Sequence, residues 1–153
     1  MSVAPEDSAH SVSLAELVLS LSDVGGRMLD GLGGALREEG ATVEQWRILR
    51  LVAERESPSM GDLAGVTGIA NASLSRIVDA LEDTASVYRL ASPEDRRRIT
   101  VRLSDHGAAR LARMDAIVRA WEASTGAALG EGTVLALADA VHGVSAVRPV
   151  RLT

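Results

Sequence analysis

Three consecutive arginines, Arg96, Arg97 and Arg98, stand directly ahead of the alternating run Ile99-Thr100-Val101-Arg102-Leu103. Adjacent guanidinium groups belong on a solvated tip, and the alternation behind them is that of a strand with one face buried. Upstream, Val87-Tyr88-Arg89-Leu90-Ala91 has the composition of a second strand, expected to pair with Arg98-Ile99-Thr100-Val101-Arg102-Leu103, and Ser92-Pro93-Glu94-Asp95 with the arginines makes the turn between the two. The segment therefore reads as a β-hairpin with a cationic tip, a surface suited to a polyanion such as DNA.

Before this hairpin the sequence reads as paired helices. Ser59 starts a short helix in which Met60, Leu63, Ala64 and Val66 are expected to face inward, and Gly68 ends it. A second helix is expected from about Asn71 to Asp83, with Leu74, Ile77, Val78 and Leu81 on one face and Ala72, Ser73, Ser75, Arg76 and Asp79 on or beside the other. Two short helices about a glycine turn, followed by a basic hairpin, make a winged helix-turn-helix. The helix ahead of them opens at Thr42, where Gln45 completes a capping box, carries Trp46, Leu49 and Val52 or Ala53 on its apolar stripe, and stops at Ser57-Pro58.

The expected organisation is mainly α with a small β-hairpin wing. Residues 1–10 read as a disordered N-terminus, 11–41 as a dimerisation helix, 42–103 as the DNA-binding lobe and 104–148 as C-terminal dimerisation helices. In the first helix Leu14, Leu17, Val18, Leu21, Val24, Met28, Leu29, Leu32 and Leu36 keep helical spacing, but Gly25-Gly26 and Gly33-Gly34 interrupt it, so it should bend or end before Gly40. After Ser104, Leu111, Met114, Val118 and Trp121 mark a long helix, and a last one is expected after Gly132 or Thr133, closed by Pro149. A lobe of about 60 residues is marginal alone, and the flanking helices are too apolar to stay in water, so a second copy of the chain is expected to cover them.

The formal charge of −5 is unevenly spread. Residues 1–70 hold 5 Arg against 11 acidic residues, whereas 85–103 hold 5 Arg against Glu94 and Asp95 alone, a local +3. All 16 basic residues are arginine and none of the residues is cysteine, which excludes disulfides and thiolate metal sites. No apolar run approaches the roughly 20 residues of a membrane span, and the N-terminus lacks signal-peptide character, so a cytoplasmic protein is expected. His10, His106 and His142 have no partner at metal-binding spacing, no enzyme motif is present, and neither a metal nor a cofactor is expected.

From about Thr42 to about Leu111 the chain resembles the MarR family of bacterial transcription regulators. Thr42-Val43-Glu44-Gln45-Trp46-Arg47-Ile48-Leu49, Asp62-Leu63-Ala64, Ser73-Leu74-Ser75-Arg76-Ile77-Val78-Asp79-Ala80-Leu81-Glu82 and Asp95-Arg96-Arg97 carry the resemblance, in order and at family spacing. It implies a homodimer that binds a pseudo-palindromic operator on double-stranded DNA as a repressor, and a small phenolic or anionic effector held between the dimerisation helices and the DNA-binding lobe. It also assigns Arg97 to the minor groove, with Asp95 orienting it. Without cysteine, the chain falls outside the family's peroxide-sensing branch. Two departures stand out: Ala85-Ser86 replaces the usual glycine and bulky apolar residue after the recognition helix, and Ala70 replaces a common capping serine, so Asn71 is expected to take the cap.

The expected DNA-binding residues are Asn71, Ala72, Ser73, Ser75, Arg76, Asp95, Arg96 and Arg97. Asn71, Ser73, Ser75 and Arg76 suit base edges and phosphates, and Ala72 suits a thymine methyl group. Arg76 pairs alternatively with Asp79 or Glu82, and Arg96 and Arg98 are expected to meet phosphate or solvent. Trp46 and Trp121 are core or interface residues, or one of them lines the effector pocket. The alternative to a specific DNA-binding regulator is a winged-helix protein-interaction module.

Overall fold

A computed structural model describes residues 13–55, 57–92, 95 and 98–146. Its elements are α1 (Leu14–Leu36), a 3-10 turn (Arg37–Glu39), α2 (Val43–Glu54), α3 (Met60–Thr67), α4 (Asn71–Asp83), β1 (Val87–Ala91), β2 (Ile99–Leu103), α5 (Asp105–Leu129) and α6 (Glu131–Ser145). The expectations for residues 1–10 and for Pro149 lie outside the described residues.

Local capping chemistry sets three of the helix starts. The Thr42 hydroxyl accepts from the Gln45 backbone N–H at 3.2 Å while the Thr42 N–H donates to Gln45 Oε1 at 3.1 Å, the expected capping box. Ser59 and Asp62 repeat the arrangement at the start of α3, and Ser104 accepts from the Gly107 N–H at 2.9 Å to open α5. α1, α4 and α6 start without a side-chain cap, and α4 departs from expectation. Its N-cap is Ala70, which offers no side-chain bond, so Asn71 is the first helical residue rather than the expected cap.

The core sits where α2, α3, α4 and the wing meet the end of α1 and the first half of α5. Leu36, Ile48, Leu49, Leu63, Leu74, Val78, Leu81, Val101 and Met114 are inaccessible to solvent. β1 and β2 pair antiparallel, Val87 opposite Leu103 and Ala91 opposite Ile99. Ser59 forms a bridge with Thr100, and the Pro58 carbonyl accepts from the Val101 N–H at 2.9 Å, which fastens the wing to the α2–α3 turn. Val66 turns outward, 47% exposed, because the eight-residue α3 presents only a narrow face to this core.

α1 is one continuous helix through both glycine pairs, and it ends before Gly40 as expected. Its outer part is unburied: Leu14, Leu17, Val18, Leu21 and Val24 are exposed. α6 starts at Glu131, slightly earlier than expected, and none of its residues is buried, with Val134, Leu135, Val141 and Val144 in contact with solvent. The apolar periodicity of both ends is therefore unused within one chain.

The end of α4 resolves the unusual Ala85-Ser86 pair. The Ala85 N–H donates to the Glu82 carbonyl at 2.7 Å and the Ser86 N–H to the Leu81 carbonyl at 2.8 Å, the paired bonds of a Schellman ending. That ending requires a left-handed residue, and Ala85 adopts φ 51°. For an alanine this conformation costs about 1–2 kcal/mol. Replacing it with glycine removes the strain but returns about 0.4–1 kcal/mol through the freer unfolded chain. Ala85→Gly is thus expected to raise the free energy of unfolding in urea by about 0.5–1 kcal/mol, and a lower unfolding midpoint contradicts this account of the turn.

Candidate nucleic-acid interface

α4 owes its outward face to its inward one. Leu74, Val78 and Leu81 are buried, so Asn71, Ala72, Ser73 and Arg76 stand in solvent and Ser75 is half-buried. These residues occupy the first two turns of the helix. Its first turn holds no acidic residue and no capping side chain, which leaves backbone N–H groups at the positive end of the helix dipole available to an anion.

Arg76 makes no ion pair with Asp79 or Glu82. Both acids instead hold Arg89 of β1: Asp79 Oδ1 lies 2.8 Å from Arg89 Nη2, Glu82 Oε2 accepts from Arg89 Nη1, and Glu82 Oε1 accepts the Arg89 backbone N–H at 2.9 Å. This clamp binds the acidic half of α4 to the wing and leaves the Arg76 guanidinium without an ion pair among the described residues, beside the small polar side chains. Periodicity could not reveal it, because the clamp joins a helix to a strand through residues ten and seven apart.

At the base of the hairpin, Arg98 Nη2 donates to Asp62 Oδ2 at 2.6 Å and lies 3.4 Å from Ser59 Oγ. Arg98 thus pairs with Asp62, a partner the sequence reading did not include, while its side chain stays about half exposed to solvent. Asp62 is already fixed by the α3 cap, so the pair ties the wing to the positioning helix. Around it, Arg55, Arg98 and Arg102 line a groove of about 510 Å³ whose acidic member is Asp62. Asp95 is exposed, with its carbonyl accepting the Arg98 N–H at 2.9 Å. Arg96 and Arg97 lie outside the described residues.

The two tryptophans divide. The Trp46 Nε1–H donates to Asp115 Oδ1 at 2.8 Å, joining α2 to α5, and the Arg50 guanidinium lies 5.3 Å from the Trp46 ring centre. Trp121 lines two cavities beside α1, of about 520 and 290 Å³, the first with Ala35 and Ile117, the second with Met28 and Leu129.

This arrangement of helices and hairpin has known counterparts. Residues 41–99 match the MarR family model. Over those residues the winged helix-turn-helix lobe is similar to MarR-family regulators. The chain is 38% identical over 72 residues to the HTH-type transcriptional regulator FarR of Neisseria gonorrhoeae, covering 47% of this chain and 49% of that protein. It is 34% identical over 74 residues to the homoprotocatechuate degradative operon repressor of Escherichia coli, covering 48% and 50%. The chain therefore spans about half the length of the curated relatives it matches. The transcriptional repressor CouR, solved bound to a 23-mer DNA duplex, is 26% identical with a TM-score of 0.80, covering 86% of this chain and 94% of that one. Beyond the MarR-type lobe, the structural likeness therefore takes in much of the flanking helices.

No helix among the described residues is long and apolar enough to cross a membrane.

The Asp62 carboxyl is held well down, to about 2, by hydrogen bonds from the Ser59 hydroxyl and backbone N–H and from Arg98. A depressed carboxyl contributes stability that is present above its ordinary value of 3.8 and is lost as pH falls through about 2. Asp62→Asn is expected to lower the melting temperature at pH 7, with the deficit shrinking as the parent is taken from pH 4 towards pH 2. A carboxyl titration midpoint near 3.8, followed by carbon NMR, contradicts the pairing.

Proposed function

We propose that the protein is a homodimeric, sequence-specific DNA-binding repressor of transcription, acting in the cytoplasm, and not an enzyme. The observation that carries this reading is the outward face of α4: small polar side chains and one unpaired arginine, next to a helix N-terminus left without a cap. Major-groove recognition uses such a face, the arginine reaching guanine or phosphate and the short side chains letting the helix approach the base edges. In the same reading Arg97 enters the minor groove, where negative potential is concentrated, and Asp95 orients it; Arg96 meets phosphate. The name of the repressor CouR, with its bound duplex, supports DNA as the partner.

The dimer follows from the unused apolar periodicity of α1 and α6. A second copy presenting the same faces buries them isologously, and an obligate interface of this kind exceeds roughly 2,000 Å². The protein should sediment as a dimer at micromolar concentration. A small phenolic or anionic effector fits the cavities flanking Trp121, where an aromatic ring and apolar neighbours lie close to the helices that carry the dimer.

Arg76→Ala should weaken operator binding by about 1–3 kcal/mol and relax preference at particular base pairs. Arg97→Ala should weaken binding by a similar amount, about 1–3 kcal/mol, with less change in sequence preference. The Arg76 substitution should leave the melting temperature unchanged, since the side chain has no ion pair to lose. Fluorescence anisotropy with labelled duplexes reads both, and parental affinity in both variants contradicts the assignment. Retained affinity for an acidic protein partner, with none for DNA in the parent, would favour an interaction module instead.

A further inference from the structure

Arg110, in the second turn of α5, is 6% exposed, yet among the described residues no carboxylate lies within ion-pair distance of it. Its guanidinium is held by neutral acceptors on two sides. Nη1 donates to Thr84 Oγ1 at 3.0 Å and to Ser86 Oγ at 3.2 Å. Nη2 donates to the backbone carbonyls of Glu39 at 3.4 Å and Gly40 at 3.2 Å. The Glu39 carboxylate, drawn to Arg113, acts on this guanidinium only through space, so the buried cation needs a further source of negative potential.

Two helix ends supply it. The Thr84 hydroxyl lies 3.1 Å from the Leu81 carbonyl and 3.3 Å from that of Ala80, in the last turn of α4. Glu39 and Gly40 close the 3-10 turn that ends α1. Both helix C-termini carry partial negative charge from unpaired carbonyls, and the guanidinium sits between them. The site is also closely packed. Gly107, one turn before Arg110, leaves no room for a side chain, because a Cβ there would lie 1.9 Å from the Ser86 carbonyl oxygen. The Ser104 hydroxyl donates to the Ala85 carbonyl at 2.6 Å. Ser86 and Arg110 thus hydrogen-bond within a polar junction shared with Thr84, at the place where Ala85-Ser86 departs from the resemblance.

We propose that Arg110 is a positioning residue for DNA recognition, joining the C-terminal end of the recognition helix α4 to the C-terminal end of α1 through one buried guanidinium. This rests on the DNA-binding reading. In a dimer built on α1 and α6, the angle between α1 and α4 decides whether two recognition helices meet successive major grooves about 34 Å apart. A planar group with donors aimed at both helix ends fixes that angle. Lysine keeps the charge but not the fork, and methionine keeps neither.

The test compares the parent with Arg110→Met and Arg110→Lys, and with Arg113→Met, which removes only the neighbouring exposed pair to Glu39. Affinity is measured for a duplex recovered by selection from random DNA and for a scrambled duplex of the same length and composition. Partial unfolding lowers both affinities by one factor, whereas mispositioning lowers the selected one alone. The selected-to-scrambled ratio is expected to fall about tenfold in Arg110→Met and less in Arg110→Lys. In Arg113→Met it should stay within about twofold. In parallel, hydrogen exchange is read at Ala41 and Ser86, whose amides bond to Leu36 and Leu81 at the two helix ends. Both should exchange faster together in the Arg110 variants.

An unchanged ratio in folded Arg110→Met overturns the proposal, as does unchanged exchange at the two amides. Should the methionine variant lose its helical signal, the lysine variant decides by the same two criteria. A parent that does not distinguish the duplexes removes the DNA-binding reading, while the exchange measurement still decides whether Arg110 joins the two helix ends.

Discussion

The burial of Leu74, Val78 and Leu81 along one side of α4 is the constraint on which the other features of the lobe depend. These side chains are fully enclosed in the core with Ile48 and Leu49 of α2 and Leu63 of α3, so α4 cannot rotate about its axis without exposing them. Each such side chain contributes about 1.5–3 kcal/mol when buried. The outward direction of Asn71, Ser73 and Arg76 is a consequence of this burial. A polar face made of short side chains has nothing of its own to hold it in place, and here the core holds it.

Charge is handled in the same manner. A chain with a formal charge of −5 must keep its carboxylates away from any surface that meets DNA. Asp79 and Glu82 are drawn to Arg89, and Asp62 to Arg98. Each arginine offsets one negative charge close to α4, Arg89 being shared by two acids, and also fastens the wing, in one case to α4 and in the other to α3. Partly exposed pairs contribute modestly to stability, so their weight lies in geometry and local potential.

Much of the fold was legible in the sequence because it is set by short-range chemistry. The Thr42 capping box, the Ser59 and Ser104 starts, the span of α4 and the two strands depend on residues within a few positions of one another. The outward face of α4 was legible for the same reason, from the spacing of Leu74, Val78 and Leu81. What was not legible depends on distant partners. Arg89 gives no sign in sequence that it will hold two acids of α4, and Arg98, read together with Arg96 as meeting phosphate or solvent, gives none that Asp62 lies beside it. Val66 was misplaced because helical spacing does not say how wide a face the neighbours offer. The persistence of α1 through its glycines shows that helix penalties of about 1 kcal/mol each are outweighed by the hydrogen bonds and packing of a long helix. Ala85 was legible as an anomaly, and its left-handed backbone confirms the strain; Arg110, the polar residue packed beside that junction, was not.

The central claim is that a two-fold pair of these lobes reads DNA through α4 and the wing. Selection of bound duplexes from a random library by the purified full chain tests it most directly. The account predicts an enriched inverted repeat with half-site centres about 10–10.5 base pairs apart, because two recognition helices related by a two-fold axis meet successive major grooves on one face of the duplex. Enrichment of a single unrepeated site, or no enrichment over the starting library at a salt concentration where the protein still binds DNA, would contradict it.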